Sequence, residues 1–150
     1  SKWPELVALS REFGIKLALH NHGHGSTYGN PATVLKLLDT YDASVLGVCL
    51  DVGWVTAAGY DAAKVFRDYG DRVFDIHYKD KRFTGKEGKA AWEDTIPGDG
   101  DSNYDGLFAA ILESDWSGTM AIETDSKEFA ADPGPFIAMA KAHFESHVGK

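Results

Sequence analysis

The chain has 150 residues and a formal net charge of −8, with a sequence pI of about 5.1. That length suits one domain, and 43% hydrophobic residues suffice for a core. An acidic chain without a basic run repels phosphate backbones and anionic lipid, and no stretch approaches the roughly 18–20 apolar residues of a membrane span, so neither nucleic acid nor membrane is expected as a partner.

In chain order, Trp3, Leu6, Leu9 and Phe13 are spaced as the apolar stripe of a helix ending at Gly14. The pattern begins with a helix feeding a strand, without a signal peptide or initiating Met, so the sequence reads as part of a longer chain. KLALHNH (Lys16–His22) reads as the first strand, and Asn30-Pro31 opens a helix bearing Val34, Leu35 and Leu38. VLGVCLD (Val45–Asp51) is the second strand. It holds the only cysteine, Cys49, so no intrachain disulfide forms and a reducing, cytoplasmic setting is expected. Asp61 opens a helix with Val65, Phe66 and Tyr69 inward and Gly70 at its end, and VFDIHYKD (Val73–Asp80) is the third strand.

From Lys81 to Asp101 about twenty residues show no periodicity but include Trp92, which predicts a long functional loop. Asn103 or Asp105 opens a helix with Leu107, Phe108, Ile111 and Leu112, and TMAIETD (Thr119–Asp125) is the fourth strand. Asp132-Pro133 opens the last helix, with Phe136, Ile137, Ala140 and Phe144 inward. On it, His143 and His147 have helical metal-pair spacing without a third ligand and read as solvated surface residues; His24 reads as a plain loop residue.

One helix followed by four βα units predicts a parallel sheet. The period-2 rule puts Ala18, His20, His22, Gly47, Cys49, Asp51, Asp75, His77, Lys79, Ala121, Glu123 and Asp125 on one face. The other face carries Leu17, Leu19, Leu46, Val48, Leu50, Phe74, Ile76, Tyr78, Met120 and Ile122. An open sheet covered by helices on both sides would be apolar on both. A small, polar face suits a barrel mouth instead. The expected fold is α/β, the C-terminal half of a (β/α)8 TIM barrel, as a single domain over residues 1–150 that lacks the first four βα units.

His20, Asp51, His77 and Glu123 come from four different strands at similar depth. Two imidazoles with two carboxylates suit Mn, Co, Fe or Zn better than Ca or a fully hydrated Mg. The ordered motifs GIKLALHNHG, LGVCLDVGWVTAAGYD, VFDIHYKD, IPGDGDSNYDGLFAAI and WSGTMAIETD resemble the fifth to eighth strands and turns of the xylose-isomerase-like sugar (phosphate) isomerase/epimerase superfamily. The resemblance implies one divalent metal, Mn first, with Asp51, His77 and Glu123 on the last three ligand positions. Two departures stand out. The first-strand Glu of the usual E-x-H motif is His20, with His22 on the retained His, and a His often found three residues after the Asp ligand is Trp54. The H-N-H form resembles a branch labelled sugar phosphate isomerase/epimerase.

The implied activity is isomerisation or epimerisation of a sugar or keto-sugar. A proton is removed alpha to a carbonyl, and the metal stabilises the enediolate as a Lewis acid. Glu123 is the candidate base and His22 a second acid–base group, because imidazole titrates near neutrality. Lys79 is a candidate substrate contact or an ion-pair partner of Asp75, and Trp54 and Trp92 are candidate sugar-stacking surfaces. Rival readings are a keto-glycoside lyase on the same site, an apurinic-endonuclease-like phosphodiesterase, and a non-catalytic barrel fragment. A half-barrel leaves unpaired strand edges, so the missing half or self-association is expected to complete it.

Overall fold

The strands in chain order are β1 (Leu17–His20), β2 (Leu46–Asp51), β3 (Val73–Tyr78), β4 (Asp80–Phe83), β5 (Trp92–Thr95) and β6 (Thr119–Ile122). The helices are α1 (Trp3–Phe13), α2 (Pro31–Leu38), α3 (Val52–Ala57), α4 (Ala62–Tyr69), α5 (Tyr104–Leu112), α6 (Lys127–Ala131) and α7 (Pro133–Val148), with a 3-10 turn at Gly70–Arg72. The computed structural model describes residues 2–88 and 91–149. No described helix is long and apolar enough to cross a membrane.

The expected strand segments form one parallel sheet in the order β1-β2-β3-β6. Their helix-facing residues Leu19, Leu46, Val48, Leu50, Ile76 and Tyr78 pack with Val34, Val65, Phe66, Leu107, Phe108 and Ala140 as one buried cluster. Local chemistry starts the helices as expected. The side chains of Asn30, Asp61 and Asn103 accept the backbone N–H of Ala32, Lys64 and Gly106, which satisfies orphan donors in each first turn. Gly14 ends α1 at φ 63°, a left-handed conformation that glycine tolerates.

The chain departs from the sequence reading in five places. On α1 the inward face carries the buried Val7 and Ser10, and Leu6, Leu9 and Phe13 are exposed. Two apolar stripes overlap on this helix, and Ser10 goes inside because its hydroxyl donates to the Ile15 carbonyl. On α5 and α7, Leu112 and Ile137 are likewise exposed.

The second departure is a register shift between Val48 and Cys49 against β3, which pairs Val48 with Val73 and Cys49 with Asp75. Val73 therefore joins the helix-facing core and Phe74 leaves it. The Phe74 ring lies over Gly47, where a Cβ would come within 2.6 Å of Cζ, so a side chain at position 47 would collide with it.

Third, the stretch after β3 is structured: β4 and β5 pair as an antiparallel hairpin, Phe83 opposite Trp92. Residues 89 and 90 lie outside the described residues. Asp80, fully buried, fastens the return of this hairpin. One of its oxygens accepts the N–H groups of Gly98 and Gly100, and the other those of Lys81 and Ser102.

Fourth, two short helices were not anticipated, α3 and α6, each capped by the residue before it: Asp51 to Trp54 N and Ser126 to Phe129 N. Fifth, His143 and His147 are half-buried and partnered, and not simply solvated. His143 bonds through Nδ1 to the Tyr78 hydroxyl, and His147 stacks on Phe108 at 4.4 Å.

Candidate metal centre

Each strand of the sheet ends in a polar side chain aimed at one point. Parallel strands with matched register put their ends at one level, so the last lumen-facing residues become neighbours. His20 closes β1 and Asp51 closes β2; His77 pairs in register with Asp51; Glu123 follows β6, its N–H reaching the Tyr78 carbonyl at 3.4 Å. One ligand-type atom from each of these four residues lies within 4.8 Å of all the others. All four candidate ligands read from the sequence are thus brought together.

The second coordination layer explains their pose. Asp51 is fully buried, and its Oδ1 is consumed by the Trp54 N–H at 2.8 Å. Its Oδ2 is left facing His20 Nε2 at 3.4 Å and His77 Nδ1 at 3.9 Å. Asn21, buried just past β1, brackets Asp51: its amide donates to the Asp51 carbonyl at 3.0 Å and accepts the Asp51 N–H at 2.8 Å. These two bonds clamp the ends of β1 and β2 together. The sequence reading passed over Asn21, because a polar residue on the helix-facing parity carries no ligand signal.

His77 Nδ1 and Glu123 Oε2 are in close approach, yet both are buried and neither has a hydrogen-bond partner among the described residues. A buried nitrogen lone pair and a carboxylate oxygen left unpaired are costly in an ordinary core. Side by side and facing Asp51 Oδ2, they are the donor set a divalent cation satisfies. The residues present therefore fit such an ion.

The surroundings tune the charges. The hydrogen bond to Asp51 raises the His20 pKa, and burial only partly opposes it. Burial pushes the Cys49 thiol up to about 12, so it is a neutral, small wall of the lumen beside His20 and His77. Lys79 is 1% exposed. Its ammonium lies 2.5 Å from Asp125, 3.2 Å from Glu123 Oε1 and 3.8 Å from Asp94. These carboxylates take the place of the expected Asp75 partner, and they leave Lys79 enclosed rather than open to a substrate. Burial by itself would lower the Lys79 pKa, but the hydrogen bond to Asp125 and the charges of Asp51, Asp94 and Glu123 carry it above its ordinary value.

The remaining candidates line the rim. His22 is exposed, its ring 4.9 Å from that of His20 and 5.5 Å from that of Trp54. Trp54 is held from two directions. Lys81 Nζ sits 3.9 Å from its ring centroid, and a Cβ on Gly23 would come within 2.8 Å of its Cε3. Trp92 packs on Phe83 at 5.4 Å. Both indoles border two rim cavities, one of about 640 Å³ with His22 and His24 and one of about 590 Å³ with Lys81, Arg82 and Asp94. Trp54 is thus a dividing wall as much as a platform. Asp94, which the sequence reading missed, enters from the hairpin as a buried partner of Lys81.

Residues 1–144 match the family model of the xylose isomerase-like TIM barrel. Among curated proteins, the inosose dehydratase of Clostridium perfringens (strain 13 / Type A) is 26% identical over 152 residues, 94% of this chain and 51% of the relative. That of Geobacillus kaustophilus is 26% identical over 166 residues, 99% of this chain and 54% of the relative. The chain therefore spans about half the length of the curated relatives it matches. Among solved structures, the IOLI protein with a binding zinc atom superposes with a TM-score of 0.79 at 22% identity, covering 97% of this chain and 53% of the other. The 3-DHS dehydratase AsbF of Bacillus anthracis gives 0.73 at 15% identity, covering 95% and 54%. Four βα units that match about half of such barrels are half of a (β/α)8 fold.

Proposed function

The chain belongs to the xylose isomerase-like TIM-barrel family, and on that footing we propose that it serves metal-assisted proton removal alpha to the carbonyl of a keto-sugar or keto-polyol, with loss of water as the favoured outcome. One observation carries the reading: four ligand atoms converge within 4.8 Å, and two of them, His77 Nδ1 and Glu123 Oε2, are buried without a hydrogen-bond partner among the described residues.

In this reading His20, Asp51, His77 and Glu123 hold one divalent cation. Mn, Co and Zn all suit the donor set, and the zinc of the IOLI protein adds weight to Zn. The bound ion supplies Lewis acidity toward a carbonyl oxygen. Glu123 is the base. Lys79 holds its Oε1 at 3.2 Å, which fixes the carboxylate plane. His22, at the open rim, stands where it can give a proton to a departing hydroxyl. Trp54 and Trp92 wall the space beyond it. The enclosed Lys79 acts on Glu123 and not on the substrate.

Elimination is favoured over epimerisation for two reasons. The curated relatives above are inosose dehydratases, and a dehydratase removes water. Inversion by two opposed bases calls for a second base, usually a carboxylate on the first strand, where this chain has His20. Isomerisation or epimerisation remains the second reading, supported by the imidazole of His22 beside His20 as the other base. The working barrel would be completed by four further βα units, which would cover the exposed Leu6, Leu9 and Phe13 of α1.

The test is incubation of the longest natural chain carrying this sequence, metal-loaded, with a panel of keto-polyols and ketoses in D2O. Deuterium entering alpha to the carbonyl is expected, with an enone absorbance for elimination or a new sugar for isomerisation. If no panel member exchanges or reacts, the reading falls.

A further inference from the structure

We propose that Asp94 is an internal anion filling a phosphate-type cradle beside the metal centre, so that the site takes an uncharged keto-polyol and not its phosphate ester. The inference rests on the proposed keto-sugar chemistry and adds the substrate class to it.

Four donors from two segments close on this one carboxylate. Lys81 Nζ lies 2.5 Å from Oδ1. On Oδ2 converge the Asp125 N–H at 2.5 Å and the Thr124 hydroxyl at 3.1 Å, with Lys79 Nζ at 3.8 Å. Two ammonium groups, a hydroxyl and a backbone N–H are the donors with which proteins hold phosphate oxygens. They also stand in the expected place, since barrels of this type often bind phosphate with the loops after their last two strands. Here Lys79 and Lys81 follow β3, and Thr124 and Asp125 follow β6. The occupant of the cradle is the chain's own hairpin residue. The side chain of Asp94 is 4% exposed, and that of Lys81 5%.

The cradle is therefore saturated. The donors that would receive a phosphate are already bonded, and bringing one in would set its charge against Asp94, Asp125 and Glu123. The neighbouring cavity offers little compensation. Arg82 is turned to the Asp99 carbonyl, while Glu93, Asp94, Asp125 and Glu128 also border that space. The cavity on the other side of Trp54 has no Lys or Arg among its described lining residues. A neutral polyol meets none of these penalties, because hydroxyl groups can donate to the surrounding carboxylates.

Inorganic phosphate titrated calorimetrically into the metal-loaded full-length protein provides the test. Wild type, Asp94→Ser and Asp94→Ser/Lys81→Met are compared, the last separating the cradle from anion binding at the metal. The expected result is phosphate affinity gained by about tenfold or more in Asp94→Ser, the scale of one charged hydrogen bond, and lost again in the double variant. Lys81-dependent phosphate binding by wild type, or a folded Asp94→Ser variant without the gain, overturns the proposal. Should that variant fail to fold, the wild-type titration decides together with wild-type kcat/KM for a keto-polyol and its phosphate ester. A preference for the ester overturns the proposal, and a preference for the free polyol supports it. Turnover of neither form counts against the keto-sugar reading, while the phosphate titration still judges the cradle.

Discussion

Two histidine pairs lie on opposite faces of the sheet, and their surroundings differ completely. His20 and His77 face the lumen with ring centroids 4.6 Å apart, and His77 Nδ1 has no hydrogen-bond partner among the described residues. His143 and His147 lie on the helix side of the sheet at the same ring spacing, 4.6 Å, with three of their four ring nitrogens engaged. His143 Nδ1 is spent on the Tyr78 hydroxyl; His147 Nδ1 bonds the His143 carbonyl and Nε2 meets Asp105 at 2.9 Å. Tyr78, Tyr104 and Phe108 ring the second pair. Spacing between imidazoles thus says little about metal binding. What separates the pairs is that His77 Nδ1 has no hydrogen-bond partner among the described residues and faces two carboxylates, Asp51 and Glu123. His143, in contrast, is spent on a hydroxyl, and His147 on a carbonyl and the exposed Asp105.

That contrast is broken most sharply at Asp51. Asp51→Asn keeps an oxygen for the Trp54 N–H but removes the charge between His20 and His77. Divalent-metal affinity should fall by about 100-fold or more, with a nearly unchanged melting temperature in the metal-free protein, as read by metal titration and thermal denaturation.

Asn21→Ala reaches the same centre indirectly. It removes the two bonds that bracket the Asp51 backbone and leaves buried groups unpaired. The expected outcome is a loss of about 2 kcal/mol in unfolding free energy and about tenfold in metal affinity. A stability loss with unaltered affinity would show that Asn21 serves the sheet alone.

His143→Ala probes the other pair. Loss of a packed ring and of the Tyr78 partner should cost about 2 kcal/mol in denaturant unfolding, with metal affinity preserved.

A smaller effect is the dependence on pH. Burial, reinforced by His147, lowers the His143 pKa below its ordinary value near 6.5, with Asp80, Asp105 and Asp99 opposing. The unfolded chain then binds the proton more readily. The stability from a neutral His143 is complete above about pH 6.5 and is lost as pH falls toward its folded value. His147 shifts upward: burial opposes this, but the bonds to Asp105 and the His143 carbonyl and the charge of Asp105 together outweigh burial, so its contribution runs the other way. In His143→Phe the melting temperature should decline less between pH 7 and pH 5 than in wild type.

The same contrast explains what could be read without coordinates. The strands and the convergence of His20, Asp51, His77 and Glu123 were legible because parity, direction and depth are fixed by position in a strand, and four strands repeated one pattern. His143 and His147 were misjudged because their partners, Tyr78 and Phe108, are 65 and 39 positions away in sequence. The bulge that sends Phe74 across to Gly47 leaves no local mark, as it arises from pairing between β2 and β3. The hairpin escaped notice because charged residues on both of its faces hide a period of two. Asp94 went with it, since its role exists only once β5 is folded against Lys79, Lys81 and Thr124. On α1, two competing apolar stripes made the inward face undecidable from spacing alone.

In the proposed reading a cation is held where His77 Nδ1 and Glu123 Oε2 lack hydrogen-bond partners among the described residues, and not at His143 and His147. That reading is tested most directly by metal content, measured by mass spectrometry on wild type, His77→Ala and His143→Ala after loading and desalting. The account predicts about one divalent ion per chain in wild type and His143→Ala and almost none in His77→Ala. A folded wild type without metal, or a His77→Ala variant that retains it, would contradict the account.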